Sequence, residues 1–423
     1  MSENRYTKQS SQSPRGIKDA KRRQEGRNGI RHSKQMRARR RRRKKILRMV
    51  ILIAMFCIFI GLIAGIIAAV KGIASLFHKE EKKEPVKQEE TVEKKVESPI
   101  DIEKITIGTS PKKDSEKPVT VTLSFTGDCT LGTDVNFDQE KSLNAYYNAQ
   151  GADYFLKNVR SVFEKDDMTV VNFEGTLTTS DQRAEKTYAF KADPEYASIL
   201  SGSFVEGANI ANNHSHDYCN QGFTDTLAAL KDANLSSFGY DQALLAKING
   251  VKVGFAGINE IEKHQGEETQ IKNNIDALKD AGAKLIVITM HWGVEKEYTP
   301  NQRQKELAHY AIDEGADLVI GHHPHVLQGI ETYKGKTIAY SLGNFCFGGN
   351  KNPADKDTMI LQKTYTFENG KLKDTDETNI IPCSISSAND YNDYCPVILE
   401  GAEKDRVMQK IEKYSKEIET PEV

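Results

Sequence analysis

Histidines and carboxylates recur in a few short phrases of this sequence. Of its ten histidines, six fall in three phrases: ANNHSHD at 211–217, MHWG at 290–293 and GHHPHV at 321–326. Imidazole nitrogens combined with carboxylate and amide oxygens are typical ligands of Mn²⁺, Fe and Zn²⁺. These residue types therefore predict a divalent metal site with mixed nitrogen and oxygen ligands. The cysteines are poor candidates, because their spacing lacks a paired thiolate motif.

Single members of this set are weak signals. An isolated His such as His291 beside Trp292 is more often a structural residue than a ligand, and the amide of Asn344 could simply close a turn. The pair His323 and His325 is stronger, because a rigid Pro holds the two imidazoles two positions apart. The candidate residues, in chain order, are Asp128, Asn172, Glu174, Asn212, Asn213, His214, Asp217, His291, His322, His323, His325 and Asn344.

The number of candidate ligands fits two metal ions better than one. A bridging carboxylate would hold two ions roughly 3.5–4 Å apart, the arrangement that enzymes use for in-line displacement at phosphorus. Each candidate follows a run of apolar residues that is typical of a buried strand. In open α/β sheets, functional groups collect beyond the carboxyl ends of the strands. We therefore expect these side chains to meet at one edge.

The elements that must position these residues alternate along the chain. Apolar runs predict strands at 120–125, 168–172, 204–210, 251–258, 284–290, 318–320 and 337–341. Amphipathic stretches predict helices near 146–163, 223–231, 271–281 and 301–314. This alternation predicts an α/β fold with largely parallel sheets covered by helices. Asn369-Gly370 then predicts an antiparallel hairpin within 358–381, and a charged helix is expected at about 403–419.

The N-terminal region has a different character. Residues 1–48 carry 19 Lys or Arg against 3 Asp or Glu, and the rest of the chain carries 40 against 57. Residues 49–70 are 22 residues without a charge, long enough at about 1.5 Å per residue to cross a membrane. A signal peptide would have a shorter apolar region behind a shorter basic head. We therefore predict one transmembrane helix at 49–70.

Charge also predicts the orientation of that helix. Seven consecutive basic residues at 39–45 place the N-terminus in the cytoplasm and residue 71 onward outside the cell membrane. Attraction to anionic membrane lipid also accounts for this run, so no nucleic-acid partner is expected. Residues 79–118 are rich in Lys, Glu, Pro and Ser, which predicts a disordered stalk. The domains are then a tail (1–48), helix (49–70), stalk (71–118), globular domain (119–400) and a C-terminal helix and tail (401–423).

Five cysteines follow the predicted membrane helix, in a compartment that permits disulfides. Cys383 and Cys395 flank a stretch rich in Ser, Asn and Asp, and they could close a short disulfide-bonded loop. Free, buried thiols are the alternative for both residues.

Taken in order, the motifs GDxxLG, NxEG, NNHxxD, HWG, GHHPHV and SLGNF resemble the CapA family of capsule and poly-γ-glutamate biosynthesis proteins. The resemblance covers about residues 119–350. CapA proteins are similar to calcineurin-like metallophosphoesterases, so the resemblance implies two packed β-sheets flanked by helices and a site for two metal ions. It also implies an N-terminal membrane anchor and other capsule-synthesis membrane proteins as partners.

The resemblance also assigns roles. Asp128, Glu174, Asn213, His291, His323 and His325 are the implied metal ligands, with Glu174 as the bridging carboxylate. His214 is the implied proton donor to a leaving group, and Asp217 of the same motif is grouped with it as catalytic. Whether His322 or His323 is the ligand is left open, although the His-x-His spacing favours His323. The chain departs from the phosphoesterase pattern at Thr130, which replaces a His, and at Asn172 and Glu174, which replace an Asp motif.

Three functions follow as hypotheses. The first is synthesis, export or attachment of an anionic surface polymer, most simply poly-γ-glutamate. The second is a metal-dependent surface phosphoesterase acting on a nucleotide, a lipid phosphate or a polymer phosphate. The third is a binding scaffold in a membrane complex. Because fold resemblance alone does not imply hydrolysis, the altered motifs leave catalysis undecided.

Overall fold

Strands and helices alternate through the residues that the computed structural model describes, which are 100–108, 118–263 and 266–419. The strands are β1 (Asp101–Ile107), β2 (Val119–Thr130), β3 (Thr133–Asp134), β4 (Met168–Glu174), β5 (Thr176–Leu177), β6 (Phe190–Ala192), β7 (Gly207–Asn209), β8 (Ser236–Phe238), β9 (Gln242–Ile248), β10 (Val251–Asn259), β11 (Leu285–His291), β12 (Leu318–His322), β13 (Ile330–Tyr333), β14 (Lys336–Ala339), β15 (Asn344–Phe347), β16 (Asp357–Glu368), β17 (Lys371–Ser384) and β18 (Val397–Ile398). The helices are α1 (Leu143–Gln150), α2 (Arg160–Phe163), α3 (Ser198–Ser201), α4 (Cys219–Asp232), α5 (Glu260–Lys263), α6 (Glu267–Asp280), α7 (Gln302–Glu314) and α8 (Gly401–Glu419).

The larger strands form two sheets. Sheet A has the order β1-β9-β10-β11-β12-β14-β13, and sheet B has the order β18-β17-β16-β2-β4-β7-β8, with β15 also paired to β2. Strands β2, β4, β7 and β8 run parallel, as do β10, β11, β12 and β14. A third, small sheet contains β3, β6 and β5. The carboxyl ends of the parallel strands therefore fall at one edge of each large sheet.

Apolar side chains on the facing surfaces of the two sheets form a common core. Phe238 of β8 and Phe255 of β10 meet across it, with ring centroids 5.8 Å apart. The outer face of sheet B packs against α1 to α4, and the outer face of sheet A packs against α6 and α7. The predicted mixed α/β architecture is confirmed, because helices cover sheets whose strands carry continuous apolar runs.

The predicted hairpin is also confirmed. Strands β16 and β17 pair antiparallel, and the turn residues Asn369 and Gly370 have φ of 51° and 73°. Positive φ at both positions is the geometry that an Asn-Gly turn favours. The final helix α8 begins two residues earlier than expected and buries Val407 and Ile411 in the core between the sheets.

Three predictions need correction. Asp101–Ile107, expected in a disordered stalk, forms β1 and pairs parallel with β9. The single helix expected at 146–163 is interrupted, because α1 ends before Gly151, which has a φ of 78°. The strand expected at 204–210 is shortened to Gly207–Asn209, since Phe204 has a φ of 62°.

Several expectations concern other parts of the chain. The basic tail at 1–48, the membrane helix at 49–70 and residues 71–99 and 109–117 of the stalk lie outside the described residues. Within the described ranges, no helix combines the length and apolar character needed to cross a membrane. Cys383 and Cys395 are buried free thiols, so the structure shows the alternative to a disulfide.

Candidate metal centre

Parallel pairing places the candidate side chains of sheet B beside one another. In the register of β2 and β4, Asp128 lies opposite Asn172 and Thr130 lies opposite Glu174. In sheet A, the register of β11 and β12 places His291 opposite His322. Because the sheets pack face to face, both sets of strand ends contribute to one buried cluster.

The centre of this cluster consists of Asp128, Glu174 and His291. One ligand atom of each residue lies within 4.8 Å of the other two, and all three side chains are buried. We call these three residues the carboxyl-end cluster. The gathering of carboxylates and an imidazole from three separate strands is what the sequence pattern predicted for this edge.

Asp128 is the most densely contacted member. Its Oδ1 lies 3.1 Å from Nδ1 of His322 and accepts a 2.9 Å hydrogen bond from the Asn172 amide. Its Oδ2 lies 3.2 Å from Nδ1 of His325 and accepts from the backbone N–H of His323. Burial by itself would raise the pKa of Asp128, but the two imidazole contacts hold that pKa well below its usual range. Asp128 is therefore a permanent carboxylate.

Glu174 differs from Asp128 although the two lie close together. The Thr130 hydroxyl donates a 2.8 Å hydrogen bond to its Oε2, whereas its Oε1 has no hydrogen-bond partner among the described residues. Burial, reinforced by the charge of Asp128, raises the pKa of Glu174 to about 8. A buried carboxylate oxygen without a partner is costly unless a ligand satisfies it.

The three histidines of the GHHPHV phrase have different environments. Burial and the neighbouring His325 lower the pKa of His323 to about 3, and its Nδ1 has no hydrogen-bond partner in the described part of the chain. Burial disfavours the charged form of His325, yet its hydrogen bond to Asp128 raises its pKa to about 9. His322 and His323 both reach the cluster, so the structure does not single out one of them.

The backbone of this phrase is held in an uncommon conformation. His323 and His325 have φ of 95° and 57°, in the left-handed region that residues other than glycine rarely adopt. The Asn344 Oδ1 lies 2.9 Å from Nδ1 of His325, and its amide donates to the His325 carbonyl. Asn344 therefore fixes His325 beside Asp128, and strain of this kind is found where surrounding contacts over-determine a functional site.

Asn172 contacts two members of the cluster, Asp128 and His291. Its amide donates to Asp128, its Oδ1 accepts a 2.9 Å hydrogen bond from Asn209, and its Nδ2 lies 3.3 Å from Nδ1 of His291. Asn213 approaches from the next loop, with its Oδ1 2.9 Å from Nε2 of His291. These amides orient the imidazole and the carboxylate, a role usual for groups around metal ligands.

His214 and Asp217 form a second unit beside the cluster. Nδ1 of His214 lies 2.8 Å from Oδ2 of Asp217, whose Oδ1 contacts the Lys186 ammonium at 2.6 Å. Lys186 also donates a 2.6 Å hydrogen bond to the carbonyl of Asn213. Burial lowers the pKa of His214 although Asp217 opposes this effect, which favours a neutral imidazole.

Asn212, predicted as a further site residue, ties the loop together. Its Oδ1 accepts from the backbone N–H of His214, and its amide donates to the Phe173 carbonyl. Both of its polar groups are used within the protein. Asn212 therefore positions His214, and no atom of its side chain faces the cluster in these contacts.

A cavity of about 890 Å³ opens beside the cluster. Its wall includes His214, His325 and Asn344, and most of the rest comes from the segment after β3, the chain leading into β6 and the loops after β11 and β15. The volume falls within the range of small-molecule sites, about 300–1,000 Å³. The cavity therefore reaches His325, which contacts Asp128 of the cluster.

The donor set fits a divalent metal. Two buried atoms have no hydrogen-bond partner among the described residues: Nδ1 of His323, and Oε1 of Glu174, which lies 3.6 Å from Nε2 of His291. They lie in a group that otherwise contains carboxylate, amide and imidazole donors. Oxygen and nitrogen donors in this combination suit Mn²⁺, Fe or Zn²⁺. The structure supports a possible metal-binding triad, and the number of ions belongs to the proposals below.

Three residues with a role here had no clear sequence signal. Lys186 is 27 and 31 positions before Asn213 and Asp217, the residues it contacts, Asn209 lies inside a strand, and Thr130 was noted only as a departure from a pattern. Contacts alone connect them to Asp217, Asn172 and Glu174. An ion pair or amide contact between distant segments leaves no local spacing in a single sequence.

Taken together, the fold and cluster define a mixed α/β domain with a buried candidate metal centre at its strand ends. Residues 122–349 match the family of the bacterial capsule synthesis protein PGA_cap, and the chain belongs to that family. The resemblance inferred from the six motifs is thereby confirmed. All twelve candidate residues lie inside the matched range.

Two Bacillus relatives have moderate sequence identity to the chain. The chain is 32% identical over 262 residues to the PGA biosynthesis protein CapA of Bacillus subtilis (strain 168), covering 56% of this chain and 66% of that protein. It is 30% identical over 301 residues to the capsule biosynthesis protein CapA of Bacillus anthracis, covering 64% and 71%. The chain thus spans just under two thirds of the Bacillus subtilis relative.

More distant similarities were also found. A probable polyglutamine synthesis accessory protein of Mycobacterium tuberculosis (strain ATCC 25618 / H37Rv) is 27% identical over 208 residues, which cover 42% of this chain and 55% of that protein. A hypothetical protein from Thermus thermophilus, of known crystal structure, has a TM-score of 0.40 and 14% identity, covering 62% of this chain and 99% of its own. That structural likeness is too weak to inform function.

Proposed function

We propose that the protein acts in the synthesis, export or attachment of an anionic capsule polymer, poly-γ-glutamate, and that it does so with a divalent metal centre. Family membership over residues 122–349 supports the first part. The observation that carries the second part is the carboxyl-end cluster, where Oε1 of Glu174 lacks a hydrogen-bond partner among the described residues.

The proposed centre uses Asp128, Glu174, Asn213, His291, His323 and His325, in a fold of the calcineurin-like metallophosphoesterase type. We propose two ions, and Glu174 would be one of the residues that hold them. When bound, the metal would supply a Lewis acid for a phosphoryl or carbonyl oxygen. Asp128 brings a permanent negative charge, and Thr130 fixes one oxygen of Glu174 so that the other faces the cluster.

The unit of His214, Asp217 and Lys186 supplies a proton-transfer group to the same site. His214 lines the cavity, and its Nδ1 is occupied by Asp217. Lys186 holds Asp217 from the other side at 2.6 Å. Because Nδ1 contacts Asp217, Nε2 is the ring nitrogen of His214 that is left for proton transfer. This arrangement favours general acid or base catalysis at Nε2.

This unit also favours a second candidate function, a metal-dependent phosphoesterase acting on a nucleotide, a lipid phosphate or a polymer phosphate. A proton donor beside a metal centre has no evident use in a passive scaffold. Purified protein with Mn²⁺ should then cleave bis-p-nitrophenyl phosphate, and His214→Ala should abolish cleavage. Inactivity across several metals and pH values would contradict this second candidate.

We further propose that the chain is held in the cell membrane by one N-terminal helix, with the N-terminus cytoplasmic and the α/β domain outside. The basic run at 39–45 and the uncharged stretch at 49–70 support this topology. Membrane lipid and other capsule-synthesis membrane proteins would be its partners. Labelling of engineered surface cysteines in intact cells would test which side the domain occupies.

Gene deletion with complementation tests the polymer function. Loss of the gene should abolish or strongly reduce surface polymer, and the wild-type gene should restore it. A gene carrying His291→Ala should fail to restore the polymer although the protein accumulates. A gene carrying Glu206→Gln is the matched control and should restore the polymer, because Glu206 lies at the opposite edge of sheet B. Unchanged polymer after deletion would overturn the proposal.

Metal analysis separates the catalytic and scaffold hypotheses. Full-length protein purified from Mn²⁺-supplemented cells should retain metal in stoichiometric amount, and Asp128→Asn should lose it. Polymer restored fully by a metal-free Asp128→Asn protein would instead show that the domain serves as a scaffold.

A further inference from the structure

The cavity beside the metal centre has a wall of aromatic rings that the proposed polymer does not explain. Tyr188 and Phe137 have ring centroids 5.9 Å apart, Phe137 and Phe190 6.3 Å, and Phe190 and His214 4.7 Å. We call Tyr188, Phe137 and Phe190 the aromatic row. It connects the cavity mouth to the proposed proton-transfer residue.

The outer end of the row is available to a ligand. Tyr188 is 52% exposed, and it is one of few large apolar side chains with such exposure among the described residues. Phe137 is partly buried and Phe190 is buried, so the row passes from solvent to the interior. Exposed aromatic rings at the entrance of a cavity are a common means of holding a flat ring by stacking.

The charges of the cavity favour an anion. Lys141 and Lys296 line it, and neither ammonium has an ion-pair partner in the described ranges. Of the other charged residues at the wall, Lys351 pairs with Asp138, and Asp355 pairs with Lys410, which lies outside the lining and also contacts Asp357. Glu295 is the remaining carboxylate of the lining. The cavity therefore combines a stacking surface with two lysine ammonium groups that make no ion pair in the described ranges, beside the carboxylate of Glu295.

A γ-linked glutamate chain would use the lysines but has no ring for the aromatic row. We propose that the cavity binds a nucleoside phosphate, with the base stacked on Tyr188 and Phe137 and the phosphate near His214, His325 and Asn344. This inference rests on the proposed phosphoesterase-type centre and names the substrate class of that site. The cavity volume of about 890 Å³ is sufficient for such a ligand.

Binding of AMP to the purified full-length chain tests the inference, with ribose 5-phosphate as the base-free comparison. Calorimetry in the same Mn²⁺ buffer should show AMP binding about tenfold more tightly than ribose 5-phosphate, in line with base stacking on one aromatic side chain. Tyr188→Ala should remove this difference. Tyr188→Phe should keep it, because the ring remains.

Tyr391→Ala is the matched control, since Tyr391 is 47% exposed and does not line the cavity. It should bind AMP as the wild type does. Equal affinities for AMP and ribose 5-phosphate, or an unchanged AMP affinity in Tyr188→Ala, would overturn the nucleotide assignment. Displacement by tri-γ-glutamate without AMP binding would overturn it in favour of the polymer.

Failure of this inference is distinguishable from failure of the proposed function. Stoichiometric Mn²⁺ binding and polymer complementation, with no preference for AMP, would reject the nucleotide and leave the metal centre standing. If the chain discriminates AMP from ribose 5-phosphate but binds no Mn²⁺, the base-stacking site on the aromatic row stands and the proposed metal centre is rejected.

Discussion

Carboxylates lie near both ends of strand β4, buried at the carboxyl end and half-buried at the amino end, and the two ends differ in what surrounds them. At the carboxyl end lies Glu174, whose pKa burial raises to about 8. At the amino end lie Asp166 and Glu206, whose pKa values burial raises to about 6 and about 7. We call Asp166, Thr169 and Glu206 the amino-end cluster. Raised pKa values alone would make both ends candidate sites.

The contacts of these carboxylates distinguish the two ends of β4. At the amino end, the Thr169 hydroxyl donates to Asp166 at 2.7 Å and the Thr169 N–H donates to Glu206 at 2.8 Å. Among the described contacts, no imidazole reaches either carboxylate. At the carboxyl end, Asp128 and Glu174 meet four histidines, and two buried atoms lack partners. Convergence of several donor types, together with unsatisfied atoms, therefore distinguishes a candidate metal centre from a buried acid.

The largest expected effect is loss of metal on altering the carboxyl-end cluster. Asp128→Asn keeps the size of the side chain but removes the permanent charge that His322 and His325 contact. We expect the Mn²⁺ affinity of the full-length chain to fall by at least about 100-fold, since loss of groups that merely support ligands costs about 10–100-fold. Calorimetry measures this affinity. Glu206→Gln is the control at the amino end of β4. A similar loss of Mn²⁺ affinity in this variant would show that the two ends do not differ in metal binding.

The second effect is a dependence of metal affinity on pH. Glu174 must ionise to act as a ligand, and its pKa of about 8 leaves it protonated at pH 6. His325, with a pKa of about 9, must also lose a proton, so both groups act in the same direction. Because two protons must leave, Mn²⁺ affinity should rise by up to about 100-fold per pH unit between pH 6 and 8. A flat profile in titrations at pH 6, 7 and 8 would refute the raised pKa values.

A smaller effect is expected for Lys186, which touches Asp217 and the Asn213 carbonyl but lies outside the ligand set. Lys186→Ala should weaken Mn²⁺ binding about tenfold by releasing Asn213, whereas Lys186→Arg should retain most of the affinity. Lys191→Ala is the control, because its ammonium contacts Ser180 and Asp181 away from the cluster. Equal affinities in Lys186→Ala and Lys191→Ala would show that Lys186 does not position the centre.

The comparison also shows which parts of the fold a single sequence predicts. Strands β2, β4, β10, β11 and β12 have continuous apolar runs, and their predicted positions overlap the observed ones. Strand β1 was missed because its residues alternate between exposed and half-buried along an edge, in a segment of charged composition. Its pairing with β9 depends on a partner about 140 positions away, which local pattern cannot report.

In the candidate site too, residues with a local sequence pattern were predicted and residues placed by long-range contacts were not. Residues that directly follow apolar strands, such as Asp128, Glu174 and His291, were predicted because strand ends share an edge. The supporting residues Lys186 and Asn209 were not, since only tertiary contacts bring them to the cluster. The positive φ angles of His323 and His325 could not be predicted either, because neither residue identity nor spacing encodes those angles directly.

The smallest expected effect lies at the amino-end cluster and concerns stability. Because the folded-state pKa of Glu206 is raised to about 7, the unfolded chain loses this proton first as pH rises, and stability falls between about pH 4.5 and 7. Glu206→Gln removes this group while Asp166 still titrates in both proteins. Relative to the wild type, the variant should gain about 1 kcal/mol of unfolding free energy on going from pH 5 to 8, after allowance for partial solvent exposure. Denaturant unfolding at the two pH values measures the difference, and parallel pH profiles would show that Glu206 stays ionised despite its burial.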